Sequence, residues 1–257
     1  MGEGDFVTLA YQSYGTGNHK VIVLHGWFGD HTMFAPMRSS LMASEFTYIF
    51  PAYRGYGLSK HLSGSYTNKE ISTDIIALAD ELGLKEFSLV GHSMGGKAIQ
   101  RVMADAPKRV KKLVAVTPVP AAAVPFDEAS WGLFEGAATR IENRKGILNY
   151  STGGRLSQTF IAHLANYSLH TSTVEAFAGY LRAWAKEEFV ADVDGATHPI
   201  KVIIGEHDPS LTADIMKATY MAWFRNAELE VMPNAGHYPM DETPVALATS
   251  MENFLRK

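Results

Sequence analysis

The stretch Phe87-Ser88-Leu89-Val90-Gly91-His92-Ser93-Met94-Gly95 decides how the rest of the chain is read. Phe87 to Val90 has the length and character of a short strand. From residue 94 to 105 the pattern is helical, and Pro107 lies just beyond its end. A serine between a strand and a helix, in the spacing Gly-x-Ser-x-Gly, sits on a sharp turn. The small flanking residues let strand and helix pass closely, and the hydroxyl is pushed out of the sheet edge. Serine is also a common plain helix N-cap, so the pentapeptide needs partners elsewhere in the chain.

Outward from that turn, apolar strands alternate with helices. Val21-Ile22-Val23-Leu24 is wholly apolar, as a strand buried on both faces should be. Further strands are expected at residues 46–50, ended by Pro51, and at 113–116, 200–204 and 229–232. Residues 6–14 read as a strand or hairpin, closed by Gly15-Thr16-Gly17-Asn18. Helices are expected at 33–43, at 67–83 and at 211–222. Thr67 and Glu70 make a capping-box pattern, and Gly83 supplies a stop. A last helix begins at Thr243-Pro244 and buries Ala248, Met251 and Leu255. The alternation predicts an α/β fold, a mainly parallel twisted sheet flanked by helices. Between residues 118 and 198 the strand signals lapse. Trp131, Phe134, Ala138 and Ile141 share one helical face. Ser172 and Glu175 form a second capping-box pattern before the stripe Val174, Phe177, Leu181, Trp184, Ala185. We therefore expect a core of residues 1–117 and 199–257, interrupted by a helical insertion at 118–198.

A serine hydroxyl is a poor nucleophile near neutrality and needs a base. In this strand–turn–helix context the partners follow in the order Ser, Asp or Glu, His. Gly205-Glu206-His207-Asp208-Pro209 follows the strand at 200–204, and Gly236-His237-Tyr238-Pro239 follows the strand at 229–232. Both loops leave the same end of a parallel sheet as Ser93. Ser93 is thus the candidate nucleophile, His237 the base and Asp208 the group that orients it. The chain has ten histidines, so the type alone decides nothing. His92 and His207 are expected to serve packing or local hydrogen bonds, and His163 and His170 to lie on the insertion. Glu206, Asp214 and Asp241 compete with Asp208, which also suits a plain turn before Pro209.

A second segment, His25-Gly26-Trp27-Phe28-Gly29, directly follows the strand at 21–24. Acyl transfer places negative charge on a former carbonyl oxygen, and preoriented backbone N–H groups stabilise it. The N–H groups of Trp27 and Met94 are the candidate donors, with His25 holding the loop. Residues 91–98 nearly fit a phosphate-cradling loop, but Ala98 lacks the hydroxyl that such a loop offers to Mg²⁺. There is no Gly-x-Gly-x-x-Gly, no His-Glu-x-x-His and no histidine cluster with metal spacing. Neither a metal nor a cofactor is expected.

Apolar residues make up 46% of the 257, and the net charge is −4. A charge that mild gives no reason to expect nucleic acid or an anionic membrane as partner. The absence of cysteine excludes thiolate metal sites and cysteine catalysis and fits a reducing compartment. The acidic start, Met1 to Asp5, precedes no apolar core. No stretch approaches the roughly 18 apolar residues of a membrane span. The expectation is a cytoplasmic protein acting on a small molecule, its oligomeric state open.

Taken together, the chain resembles the α/β-hydrolase family, in particular its single-domain esterase, lactonase and cofactor-free haloperoxidase-like branch. The resemblance rests on His25-Gly26-Trp27, on Arg54-Gly55-Tyr56-Gly57-Leu58-Ser59, on the turn around Ser93, and on Asp208 and His237. One departure is visible. The family commonly carries Asp two positions before that Arg, where this chain has Ala52, which bears on how the loop is anchored. The resemblance implies that residues 118–198 cap the active site. It also implies cleavage of a carboxylic ester through an acyl-enzyme. Lactones, thioesters, amides, carbon–carbon bonds and perhydrolysis stay open on the same residues, because fold does not fix function. Phe28, Trp131 and Trp184 are expected either to line an apolar substrate site or to pack between insertion and sheet. A reading of another class is a ligand-binding signalling protein that keeps these residues and turns over slowly.

Overall fold

In the computed structural model, residues 8–257 are described. Phe6 and Val7, the start of the first expected strand, lie outside the described residues, as does the acidic stretch Met1 to Asp5. Seven strands form one sheet: β1 (Tyr11–Tyr14), β2 (His19–Leu24), β3 (Phe46–Pro51), β4 (Phe87–His92), β5 (Val110–Val116), β6 (Ile200–Gly205) and β7 (Ala227–Met232). Their spatial order is β1-β3-β2-β4-β5-β6-β7. β1 runs antiparallel to β3, and all other neighbours are parallel. Val21 to Leu24 and Leu113 to Val116 are at most 2% exposed, so these strands are covered on both faces, as their continuous apolar runs require. From β2 the chain steps outward to β3 and then crosses back to β4 on the other side of β2. The loops that follow β2 and β4 thus diverge at the carboxyl edge of the sheet, where such reversals open a crevice.

The helices flanking the sheet are α1 (Asn68–Glu81) and α2 (Met94–Asp105). Between β5 and β6 lie α3 (Glu128–Gly136), α4 (Ile141–Ser151), α5 (Gln158–Thr171), α6 (Val174–Lys186) and the short α7 (Val190–Val193). After β6 come α8 (Ala213–Ala218) and α9 (Tyr220–Trp223), and after β7 α10 (Pro239–Glu242) and α11 (Pro244–Arg256).

Several local expectations need correction. The helix expected at 33–43 is a 3₁₀ turn, Ala35–Ser40, with Pro36 at its start; its apolar spacing serves packing of Phe34, Met37 and Leu41. The helix expected at 211–222 is split at Thr219 (φ −121°, ψ −93°), whose hydroxyl donates back to the Ile215 carbonyl, a bond that competes with regular helix. The face shared by Trp131 and Ile141 belongs to two helices, since Gly136 ends α3 before α4 begins. The Thr67 hydroxyl does accept from Glu70 N–H, but the Glu70 carboxylate caps Ser65 and Tyr66 N–H groups. The N-cap of α6 is Thr173, which accepts from Ala176 N–H, one residue beyond the expected Ser172. On that helix Phe177, Leu181, Trp184 and Ala185 are buried, whereas Val174 is exposed.

One side chain joins α2 to the segment between β5 and β6. Lys97 on α2 is fully buried, and its ammonium donates to the carbonyls of Ala122 (2.9 Å), Trp184 (3.0 Å) and Glu187 (2.5 Å). All three of its N–H groups are thereby used. Burial pushes its pKa down to about 8, against the pull of Glu187 and Glu188. Lys97→Met fills the same space but leaves three carbonyls without a donor. We expect it to cost about 3–5 kcal/mol of stability in urea unfolding; a loss below about 1 kcal/mol would show that the clamp is idle.

Candidate active site

Ser93 lies between β4 and α2 with φ 53° and ψ −114°, a conformation that residues with a Cβ rarely adopt. The surrounding hydrogen bonds fix it there. Ser93 N–H donates to the Val116 carbonyl (3.0 Å), and its own carbonyl accepts from Gly96 (2.9 Å) and Val119 (3.0 Å). The two glycines of the pentapeptide are needed for close approach. A Cβ on Gly91 would stand 2.2 Å from the Gly95 oxygen, and one on Gly95 would stand 2.4 Å from the Leu24 oxygen.

Three distant loops meet at this turn. His237 Nε2 lies 2.9 Å from Ser93 Oγ, and His237 Nδ1 lies 2.6 Å from Asp208 Oδ2. A carboxylate only accepts, so Nδ1 carries the proton and Nε2 presents its lone pair to the serine hydroxyl. The other carboxylate oxygen, Oδ1, accepts from the N–H groups of Ser210 (2.9 Å) and Leu211 (3.1 Å). Asp208 is buried. That burial pushes its carboxyl upward, but the nearby His237, its hydrogen bond and the two loop N–H groups outweigh burial and hold it below the usual carboxylate range.

The backbone of His237 is tethered from three sides. Its carbonyl accepts from His92 Nε2 (2.7 Å) and from Thr117 Oγ1 (3.0 Å), and its N–H donates to the Ser151 carbonyl (3.2 Å). Glu242 clasps the same loop, accepting from Gly236 (2.8 Å) and Tyr238 (3.0 Å) N–H groups while it pairs with Arg155. Sequence reasoning placed His92 among local hydrogen-bonding groups and missed Thr117 and Glu242, which act on backbone atoms and leave no spacing signal. His207, by contrast, is partly exposed beside Glu206 (3.7 Å).

The loop after β2 is equally constrained. His25 lies between the rings of Tyr53 and Tyr56 at 4.0 and 5.2 Å. Its Nδ1 donates to the Gly26 carbonyl and its Nε2 accepts from Tyr53 N–H; burial pushes its pKa down to about 4. Trp27 is anchored through its indole N–H to the Phe177 carbonyl (2.8 Å), and its carbonyl accepts from the Tyr56 hydroxyl (2.9 Å). The backbone N–H groups of Trp27 and Met94 make no hydrogen bond among the described residues. At the departure from the family pattern, Ala52 is buried. Arg54 instead grips Asp74 of α1 through two hydrogen bonds of 2.7 and 2.8 Å.

A cavity of about 350 Å³ reaches Ser93 and His237, and its walls include Trp27, Phe28, Phe126, Phe134, Trp184 and Leu211. Phe28 and Trp184 belong to this lining. Trp131 lies outside it, half-buried, with the Lys186 ammonium 4.1 Å over its ring. Phe134, one helical turn on, and Phe126 line the cavity instead, their rings 4.7 Å apart. Among the described residues, no Lys, Arg, Asp or Glu side chain lines this cavity. The lysine of the near phosphate loop, Lys97, is spent on carbonyls and does not face it. Among the described residues no group of three or more His, Asp or Glu is placed to hold a metal ion, and no helix is long and apolar enough to cross a membrane.

A strand–serine–helix turn at the edge of a mostly parallel sheet, with acid and histidine loops beside it, is the arrangement of one large family. Residues 21–250 match the Alpha/beta hydrolase family, and the chain belongs to it. It is 25% identical to a 2-hydroxy-6-oxononadienedioate/2-hydroxy-6-oxononatrienedioate hydrolase of Burkholderia vietnamiensis, covering 99% of this chain and 93% of that one. It is 27% identical to the dihydrolipoyllysine-residue acetyltransferase component of the acetoin cleaving system of Pseudomonas putida, covering 95% of this chain but 65% of that protein. Among solved structures it superposes on a thermophilic esterase from Thermogutta terrifontis with a TM-score of 0.82 at 25% identity, covering 96% of this chain and 93% of the other. Family and relatives indicate a hydrolase.

Proposed function

We propose that this protein hydrolyses carboxylic esters whose acyl and alcohol parts are uncharged and apolar, with Ser93 as nucleophile. The observation that carries the reading is the unbroken chain of hydrogen bonds from Asp208 through His237 to Ser93. His237 Nε2 takes the hydroxyl proton as Ser93 Oγ attacks the acyl carbon. Asp208 keeps the imidazole in the tautomer that can accept and stabilises the cation it becomes. Trp27 and Met94 N–H groups, free of other partners, donate to the oxyanion. His237 then protonates the departing alcoholate, and later draws a proton from the water that releases the acid. In this reading the helices at 118–198 cap the site and supply Phe126, Phe134 and Trp184 to its apolar wall.

The cavity also bears on which bond is cut. The relative from Burkholderia vietnamiensis is named for a dicarboxylate substrate. Binding a carboxylate in an apolar pocket without a cationic partner is costly, and no Lys or Arg lines this one. A neutral ester is the better match, and the esterase neighbour supports it.

The test pairs turnover with labelling. We expect multiple turnovers of p-nitrophenyl butyrate, covalent labelling of Ser93 by a serine-directed phosphonate, and a kcat/KM at least about tenfold lower for the p-nitrophenyl hemisuccinate. A single slow acylation without turnover would instead favour a ligand-binding protein, and equal rates on both esters would remove the neutral-substrate reading.

A further inference from the structure

A second cavity, of about 190 Å³, adjoins the first and shares Phe28 and Tyr238 with it as common lining. Its polar lining comes from Thr32, His163, Tyr167 and Asp241. The Ser93 chemistry uses none of these four.

Asp241 is the unusual member. It is only partly exposed, yet its carboxylate accepts no hydrogen bond and forms no ion pair among the described residues. The groups around it are committed elsewhere. Glu242, next to it on α10, uses its oxygens on Gly236, Tyr238 and Arg155. The Tyr167 hydroxyl donates to Asp30 (2.8 Å). Thr32 Oγ1 also donates to Asp30 (2.7 Å). A half-buried carboxylate without a donor is costly, and among the described residues no side chain hydrogen-bonds or ion-pairs with it. Burial, and then the negative charge of Glu242, push the Asp241 pKa up to about 7.

What is missing at this wall is a cation or a strong donor. A metal ion fits poorly, because among the described residues no group of three or more carboxylates and imidazoles is placed for coordination. The rings of Phe28, Tyr167 and Tyr238 line the same cavity, and aromatic faces attract organic cations. We propose that this second cavity binds a small organic ammonium ion, its charge on the Asp241 carboxylate and its carbon skeleton against Phe28 and Tyr238. The proposal does not depend on the bond that Ser93 attacks.

Binding of a cation favours the ionised carboxylate, so affinity rises with pH as Asp241 loses its proton and falls below about pH 7. The other titratable groups facing the cavity are His163 and Tyr167 from α5 and Tyr238.

Calorimetric titration with benzylammonium chloride tests this, with benzyl alcohol as the neutral control. We expect benzylammonium to bind the intact protein at about pH 8 and about tenfold more weakly at about pH 6. Asp241→Asn should weaken binding at about pH 8 by at least roughly tenfold and leave benzyl alcohol unaffected. Its melting curve checks that it is folded, as expected for a side chain without partners. If Asp241→Asn does not fold, the pH dependence of benzylammonium binding measured in His163→Gln decides, and it should persist there. Absence of benzylammonium binding, equal affinity at the two pH values, or undiminished binding to folded Asp241→Asn would overturn the proposal.

Discussion

Ser93→Ala is expected to lower kcat on p-nitrophenyl butyrate by roughly 10⁶-fold, with KM changed by less than about threefold. The substitution deletes the one atom that His237 Nε2 faces and leaves the rest in place. Among the described residues Ser93 Oγ has no partner other than that imidazole, and the strained backbone at φ 53° is set by Val116, Gly96 and Val119, none of which involves the side chain. Alanine therefore meets the same backbone strain as serine, and the fold should survive with an unchanged melting temperature. Under the proposed mechanism, the residual rate would measure what the Trp27 and Met94 N–H groups and the cavity contribute without a nucleophile. A loss smaller than about a hundredfold, with the protein folded, would mean that another group performs the attack.

Asp208→Asn is expected to lower kcat by roughly 10⁴-fold, the size of penalty carried by a wrong histidine tautomer. The reason lies in how the two carboxylate oxygens are divided. Oδ1 accepts from the N–H groups of Ser210 and Leu211, and Oδ2 faces His237 Nδ1. An asparagine keeps its oxygen on the two backbone donors, so its NH₂ comes to face the imidazole. Two donors cannot share that contact. The ring must move its proton to Nε2, where it points at Ser93 and can no longer accept. Stability responds as well. The Asp208 carboxyl is held below its ordinary value of about 3.9, so its ionised form stabilises the fold at pH above that value. The contribution fades as pH falls through the lower folded value. Melting temperatures of the parent protein and Asp208→Asn should accordingly converge as pH drops below about 4; a constant gap would contradict the assignment.

Much of this was legible because burial on both faces leaves a plain mark. β2 and β5 carry continuous apolar runs, β4 and β6 are interrupted before their apolar ends only by Ser88 and Lys201, and a parallel sheet then requires their following loops to leave from one edge. That requirement, rather than residue type, singles out Asp208 and His237 among many acids and histidines. Reading failed where tertiary contacts choose between similar local options. Ser172 and Thr173 are adjacent residues able to cap α6, and the bridge of Ser172 to Tyr56 leaves Thr173 to do it. Trp131 and Phe134 lie one turn apart on α3, and only the rotation of that helix against α4 and α6 decides that Phe134 meets Trp27 (5.9 Å) while Trp131 turns to Lys186. The tethers on His237 from Thr117 and Ser151 use main-chain atoms on at least one side, and such bonds are written in geometry alone.

The Ser151 tether has a consequence for exchange of parts. The last residue of α4 supplies the acceptor for His237 N–H, so the segment between β5 and β6 is wired to the main chain of the histidine loop. A chimera that swaps in another protein's helices to alter selectivity must also deliver an oxygen at that spot. Without one, the graft would retune the imidazole's aim together with the shape of the pocket, and the two effects would arrive as a single phenotype.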